Sequence, residues 1–254
     1  MWILDELIRR ASPHLTRSRK EIVPGTTLAE SINIDHLICP LRYDLQVRIG
    51  LIRLLRDEGA LYQHDFPAFL KRAPVRAYFV WFQEVCCARY RPRLYRDPKL
   101  LGPAFVQRLH DTAKLWQSIE RHGFDSSTPI RLISGRSIRS VNGKLISSST
   151  YFAGDGCHRI ACLYVAGRTS LEPTHYEVAV RPSLQPLDNT AILAQHLPLD
   201  RTTYLGFISR FYCDGAELDS ADEIRKHVGV RNPPLLAEVE SVLAFDLPRV
   251  RGND

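Results

Sequence analysis

Several things are scarce or missing in this 254-residue chain, and each narrows what it can be. No apolar run approaches the ~20 residues that a bilayer-spanning helix needs. The longest are Tyr78 to Phe82 and the broken stretch Ile160 to Ala166, so no membrane partner is expected. The start, Met1 to Lys20, sets its acids Asp5 and Glu6 early and its bases late, without the basic, apolar and small-residue order of an export signal. A cytoplasmic location is therefore expected. The six cysteines, Cys39, Cys86, Cys87, Cys157, Cys162 and Cys213, form no CxxC pair and read as reduced thiols rather than a disulfide framework. Cys and His never recur with ligand spacing, so no protein-held metal is expected and the scattered histidines read as surface or core residues. Internal repeats and low-complexity segments are absent.

What is present describes a folded chain. Hydrophobic residues make up 44 % and charged residues 24 %, which excludes disorder as the main state. The 34 basic and 28 acidic side chains leave +6, modest electrostatics for a DNA clamp.

Residues 2 to 10 carry Trp2, Ile3, Leu4, Leu7 and Ile8 at helical spacing, and Thr26 to Ser31 can form a further turn. Ile32 to Ile34 alternates like a strand and runs into Cys39-Pro-Leu-Arg-Tyr-Asp44. A helix is expected from Leu45 through Arg56, stopping at Gly59, and at least one more over Phe66 to Arg91. Arg89, Arg91, Arg93 and Arg96, interleaved with Tyr90 and Tyr95, suit either an anionic partner or a solvated loop. A helical face through Phe105, Leu109, Trp116 and Ile119 ends at Gly123, and Pro129 to Ile133 reads as a strand. Asn142-Gly143 marks a hairpin, and a strand follows through Tyr151 to Ala153. Gly154-Asp-Gly-Cys-His-Arg159 then opens a helix that Gly167 ends, before a closing strand at Tyr176 to Val180. The expected fold class is α/β (α+β): a mixed-sheet unit over residues 32–181 with a helical insertion at about 52–103. An N-terminal helical segment, 1–31, precedes it, and a helical C-terminal extension, 182–254, follows.

That extension holds expected helices at Thr202 to Tyr212, Asp222 to His227 and Pro234 to Leu243. The last two have the helix, glycine turn, helix cadence of a DNA reader, but Leu235 to Val242 offers two acids and no basic or amide side chain to a base edge. DNA is thus the less favoured partner.

The 154–159 turn supports two readings. Gly154 and Gly156 let a backbone approach an anion, and the N–H groups at the start of the following helix favour negative charge. His158 and Arg159 add donors, and Cys157 sits where the helix end and nearby cations favour thiolate. Equally, the same residues make a tight strand-to-helix turn with Asp155 as cap and Cys157 as small filler.

Asp155-Gly-Cys-His-Arg159, followed by Ile-Ala-Cys-Leu-Tyr-Val-Ala-Gly167, resembles the signature turn of the ParB/sulfiredoxin superfamily. Pro40-Leu-Arg42 resembles the superfamily's early proline and arginine turn, Ser118-Ile119 with Gly123 its helix before the second strand, and Pro129-Ile130 that strand's start. The likeness covers roughly 150 residues. It implies a ParB/sulfiredoxin-like core with a nucleotide-phosphate site at Gly154, Gly156, Cys157, His158 and Arg159, with Arg42 reaching across and Ser118 as a weaker contact. ATP, or CTP or ADP, with Mg²⁺ is the implied cofactor.

Members of the superfamily use this pocket differently. Sulfiredoxins carry Gly-Gly-Cys-His-Arg and repair cysteine sulfinic acid with ATP; free-serine kinases carry an Asp-Gly-His-His-Arg-like turn; ParB proteins bind CTP and load onto DNA. Here Cys157-His158-Arg159 follows the first and Asp155 the others, a hybrid. The leading expectation is an ATP-dependent phosphotransferase acting on a small-molecule or protein hydroxyl, with Asp155 or Asp44 activating the acceptor and Asp155 near Mg²⁺. Sulfinic acid reduction through Cys157 is the second expectation. A nucleotide-gated module binding DNA or protein is the third.

Overall fold

The computed structural model describes residues 31–38, 40–134, 137–141, 144–148, 151–180 and 189–249. The expected N-terminal helix, the turn before Ser31, Cys39 and the Asn142-Gly143 turn lie outside them. The fold is mixed α/β and mostly helical.

A three-stranded sheet sits at its centre. The middle strand, β2 (Ile130–Ser134), pairs antiparallel with β5 (Tyr151–Ala153) and parallel with β7 (Tyr176–Val180). Ile130, Leu132 and Ile133 are all buried, so β2 is covered on both faces, as an apolar central strand requires. Strands β3 (Ser137–Val141) and β4 (Lys144–Ser148) form a separate antiparallel pair, and β1 (Ile32–Asn33) pairs with β6 (Ser170–Leu171). Three small sheets thus stand, among the described residues, where one mixed sheet was expected. The strands β1 and β6 are only two residues each, too short to extend the central ladder.

Helix α1 (Tyr43–Asp57) is apolar on most of its circumference, with Leu45, Ile49, Leu51 and Ile52 at 1 % exposure or less. A helix of that kind must be covered on most sides, and the stripe through Gln46, Gly50, Arg53 and Asp57 is half-buried or exposed. Covering it are α8 (Cys157–Val165), α4 (Ala73–Val80), the long α7 (Pro98–His122) and the short α9 (Thr190–Leu193). Before α4 come α2 (Gly59–His64) and α3 (Phe66–Leu70). After α4 the chain continues as a π-helix, Trp81–Cys87, and then as the short α5 (Ala88–Tyr90) and α6 (Pro92–Arg96). Asp97 caps α7 by accepting from the Lys99 N–H, and Gly123 ends it at φ 76°, a conformation costly for a side chain with a Cβ.

Helices α10 (Arg201–Tyr212), α11 (Ala221–Arg231) and α12 (Leu236–Leu243) enclose a second apolar cluster around Tyr204, Ile208, Ile224, Val228, Val239 and Val242. Gly229, read as the turn of a DNA-reading cadence, lies inside α11; the chain turns at Asn232 to Leu235 instead. Prolines 233 and 234 force that break, since neither can donate to a helix interior.

Candidate functional site

The 154–159 turn leaves the end of β5 and enters α8. The N–H groups of Gly154 and Asp155 both donate to the Arg131 carbonyl, at 2.9 and 3.1 Å, which folds the chain back over β2. Gly156 follows in the left-handed region at φ 84°, and the Gly156 N–H donates to Asp155 Oδ1 at 2.7 Å. Asp155 therefore does not cap α8 in the usual way, since its oxygen serves the residue next to it rather than the first turn of the helix. Helix α8 begins at Cys157, two residues earlier than the expected Arg159 start. The N–H groups of Cys157, His158 and Arg159 meet no acceptor among the described residues. Half of the expected cradle is thus filled by the protein's own atoms, and half offers donors at the positive end of a nine-residue helix.

Gly154 is fixed by space. A Cβ there would stand 2.5 Å from Ile133 Cδ1 and 2.7 Å from Cγ1. Gly154→Ala should therefore destabilise the fold by about 1–3 kcal/mol through overpacking, and Ile133→Ala in the same chain should recover part of that loss, a non-additivity that paired urea titrations read directly.

Arg42 does reach across. Its Nη1 donates to the Ala153 carbonyl at 3.0 Å and its Nη2 to Cys157 Sγ at 3.1 Å. Nε and Nη2 also grip Asp44, at 2.7 and 3.1 Å. On the other side of Asp44, Arg48 Nη1 donates to Oδ2 at 2.7 Å and to the Asp44 carbonyl at 2.7 Å. All three side chains are buried, at 3 %, 2 % and 6 % exposure for Arg42, Asp44 and Arg48. Burial alone would raise the Asp44 carboxyl, but the Arg42 and Arg48 charges, with hydrogen bonds from Arg42 and Asn189, hold it well below the usual carboxylate range. A carboxylate so acidic and so enclosed is poorly matched to proton abstraction at neutral pH. Asp44 is the tie that aims Arg42 at the turn. The segment that supplies Asn189 is itself pinned to this corner: Thr190 Oγ1 donates to the Pro40 carbonyl at 2.8 Å and accepts from the Tyr43 N–H at 3.2 Å.

His158 turns inward. Its Nε2 lies 2.6 Å from the Tyr78 hydroxyl, which lies 3.0 Å from Thr112 Oγ1. Thr112 spends its proton on the Arg108 carbonyl at 2.8 Å, so Tyr78 must donate to Thr112 and His158 Nε2–H must donate to Tyr78. The imidazole is packed edge-on against Tyr78 and Trp81. Burial, with the Arg48 and Arg108 charges against an opposing Asp44, lowers its pKa well below that of a free histidine. His158 thus anchors the first turn of α8 to α4 and α7, and its Nε2–H is not turned to a phosphoryl oxygen.

The remaining expected residues fall as follows. Arg159 donates through Nη1 to the Thr128 carbonyl, which leaves its guanidinium beside Gly156 at the mouth of the turn. Asp155 is exposed there. Ser118 is exposed on α7, and no hydrogen bond joins it to the turn among the described residues. Thr112 is instead the α7 residue linked, through Tyr78, to His158. Cys162 is fully buried, its thiol pushed up to about 12 by burial, as a core residue's would be. Among the described residues no group of three His, Cys, Asp or Glu side chains is placed to hold a metal ion. The mouth of the turn thus presents three N–H groups and the Arg159 guanidinium as donors, with the exposed Asp155 carboxylate beside them.

Sequence reading passed over two members of the cluster. Arg48 was legible as the i+4 partner of Asp44 on one helix face. Tyr78 carried no signal beyond being one aromatic among several.

No protein-family model, curated protein or solved structure matches the chain. The likeness to the ParB/sulfiredoxin superfamily rests on the turn residues and their order along the chain.

Proposed function

We propose that the N-terminal end of α8 binds the phosphates of a nucleotide and that Cys157 is the reacting group beside it, in ATP-dependent reduction of a protein cysteine sulfinic acid. In this reaction ATP phosphorylates a sulfinate oxygen, and the Cys157 sulfur displaces that phosphate to form a thiosulfinate. An added thiol supplies the two electrons, releasing the sulfenic acid and leaving a disulfide on Cys157. The observation that carries this reading is the buried Arg42 guanidinium donating to Cys157 Sγ at 3.1 Å, at the first residue of the helix. The Arg42 guanidinium and the N-terminus of α8 converge on this one sulfur. Cys157 is half-buried and so reachable, unlike the buried Cys87 and Cys162. Phosphate recognition falls to the N–H groups of Cys157, His158 and Arg159 and to the Arg159 side chain.

Phosphoryl transfer to a hydroxyl is the second reading, and exposed Asp155 beside the open N–H groups favours it. With Asp44 locked between two arginines, Asp155 is the carboxylate that would orient the acceptor.

Calorimetric unfolding with ATP, ADP and CTP, each with Mg²⁺, tests binding. A ligand at ~100 times its dissociation constant adds about 2.7 kcal/mol of stability, and Cys157→Ser should keep that gain. The same variant should lose nucleotide consumption driven by a sulfinic-acid peptide. A flat response to all three nucleotides overturns the binding site. A Cys157→Ser protein that still phosphorylates a hydroxyl compound at the wild-type rate transfers the assignment to Asp155.

A further inference from the structure

The surface of α5 and α6 is strongly basic. Residues 88–100 hold Arg89, Arg91, Arg93, Arg96 and Lys99 against the single acid Asp97. All five cations are exposed, and none forms an ion pair among the described residues. Asp97 is spent on the start of α7, where it accepts from the Lys99 N–H. Apolar surface is exposed in the same stretch: Tyr90 is 68 % open to solvent, and Tyr95 and Leu100 are each 39 % open. The Arg89 guanidinium lies 5.4 Å from the centre of the Tyr90 ring.

Arg89, Arg91, Arg93 and Arg96 fall within eight residues that hold no acid. The backbone that carries them is tied down. Pro92 and Pro98 open α6 and α7, the Tyr95 hydroxyl donates to Glu84 Oε2 on the π-helix at 3.1 Å, and Leu94 packs against the main core. Arg93 and Arg96 are three residues apart on one short helix, and so are neighbours on its surface. A backbone so fixed, carrying four exposed cations with no ion pair among the described residues, fits a polyanionic partner.

We infer that residues 89–99 bind single-stranded nucleic acid, with Arg89, Arg91, Arg93 and Arg96 on successive phosphates and Tyr90 stacked on a base. Guanidinium groups match phosphate oxygens in a planar fork, and an open tyrosine face between them suits a base of any sequence. Duplex reading does not fit this surface. A major groove is read by an extended helix or a β-ribbon, and α5 and α6 are three and five residues long. The surface is distinct from the 154–159 turn, so the inference stands apart from the proposed chemistry.

Fluorescence anisotropy with a labelled twenty-residue oligothymidylate tests it, from 50 to 300 mM salt. The logarithm of the association constant should fall against log salt with a slope of about −2 to −3, at ~0.7 per phosphate neutralised on a single strand. Arg93→Glu with Arg96→Glu should make that slope shallower by about 1.4. Tyr90→Ala should weaken binding roughly tenfold with the slope unchanged, because stacking is lost while charge is kept. Both variants change exposed side chains and should unfold at the wild-type temperature. The inference is overturned if the oligonucleotide does not bind at 50 mM salt, if a duplex of equal length binds as tightly, or if both variants bind like the parent. Sedimentation with phosphatidylserine vesicles but no oligonucleotide binding would assign the patch to an anionic membrane surface and overturn it equally.

Discussion

Asp44→Asn is expected to lower the free energy of unfolding by about 3–5 kcal/mol, read as a fall in the urea midpoint at pH 7 with an unchanged slope. The substitution keeps the size of the side chain and removes the carboxylate that pairs with both the Arg42 and Arg48 guanidiniums, placing a neutral amide between two buried cations. Asparagine can accept from one of them, not from both forks. The effect should depend on pH in a defined direction. The carboxyl of Asp44 is depressed in the folded state, so its contribution is fully present above the unfolded value near 3.9 and is lost as pH falls below it. Wild type and variant should therefore converge in acid, because protonation removes from the wild type what the substitution has already removed. A loss below about 1 kcal/mol at pH 7, with the two curves parallel down to pH 3, would show that the triad does not hold this corner. The same variant should disturb Cys157, since Asp44 is what aims Arg42 at its sulfur.

Element boundaries were legible where local chemistry decides them. Gly123 and Gly167 end α7 and the α8 segment at positive φ, 76° and 79°, and the strands at Ile130 and Tyr151 follow from apolar spacing, while α8 starts at Cys157 rather than at Arg159. Arg42 meeting the 154–159 turn was expected from the superfamily likeness, and the structure does join residues 111 and 115 positions apart in that corner. What sequence did not reveal is which way each side chain faces once elements far apart in the chain have packed. Ser118 and Thr112 differ by fewer than two turns of α7, yet only Thr112 meets the site, and that is fixed by how α7 lies on α8. The Asp155 cap failed for a local reason: with Gly156 left-handed, the carboxylate is claimed by the next N–H before it can reach the helix. Asp44 is expected to activate an acceptor, but Arg48, one helical turn on, takes its second oxygen, and Arg48 itself stacks 3.9 Å from the centre of the Trp81 ring.

His158 sets a second pH dependence, at a different place on the scale. Burial and two nearby arginines keep it neutral in the folded protein, and its pKa lies well below 6.5. An unfolded chain takes up that proton from about pH 6.5 downward, while the folded one does not. Proton uptake by the unfolded state alone favours unfolding, so the His158 contribution is complete above pH 6.5. It is lost at about 1.4 kcal/mol per pH unit as pH falls toward the folded value. His158→Gln removes the titration and keeps an amide N–H able to reach the Tyr78 oxygen. The difference in unfolding free energy between variant and wild type should therefore shift in favour of the variant between pH 6.5 and 5, before Asp44 or the other carboxylates begin to protonate. Tyr78→Phe serves as the control for the hydrogen-bond chain. It should cost about 1–3 kcal/mol at every pH, since it strands a buried imidazole N–H and breaks the link to Thr112. An unchanged pH profile in His158→Gln would mean that the imidazole protonates freely in the folded protein. It would then be open to the solvent side of the turn and available to a phosphate, the position that its bond to Tyr78 denies it.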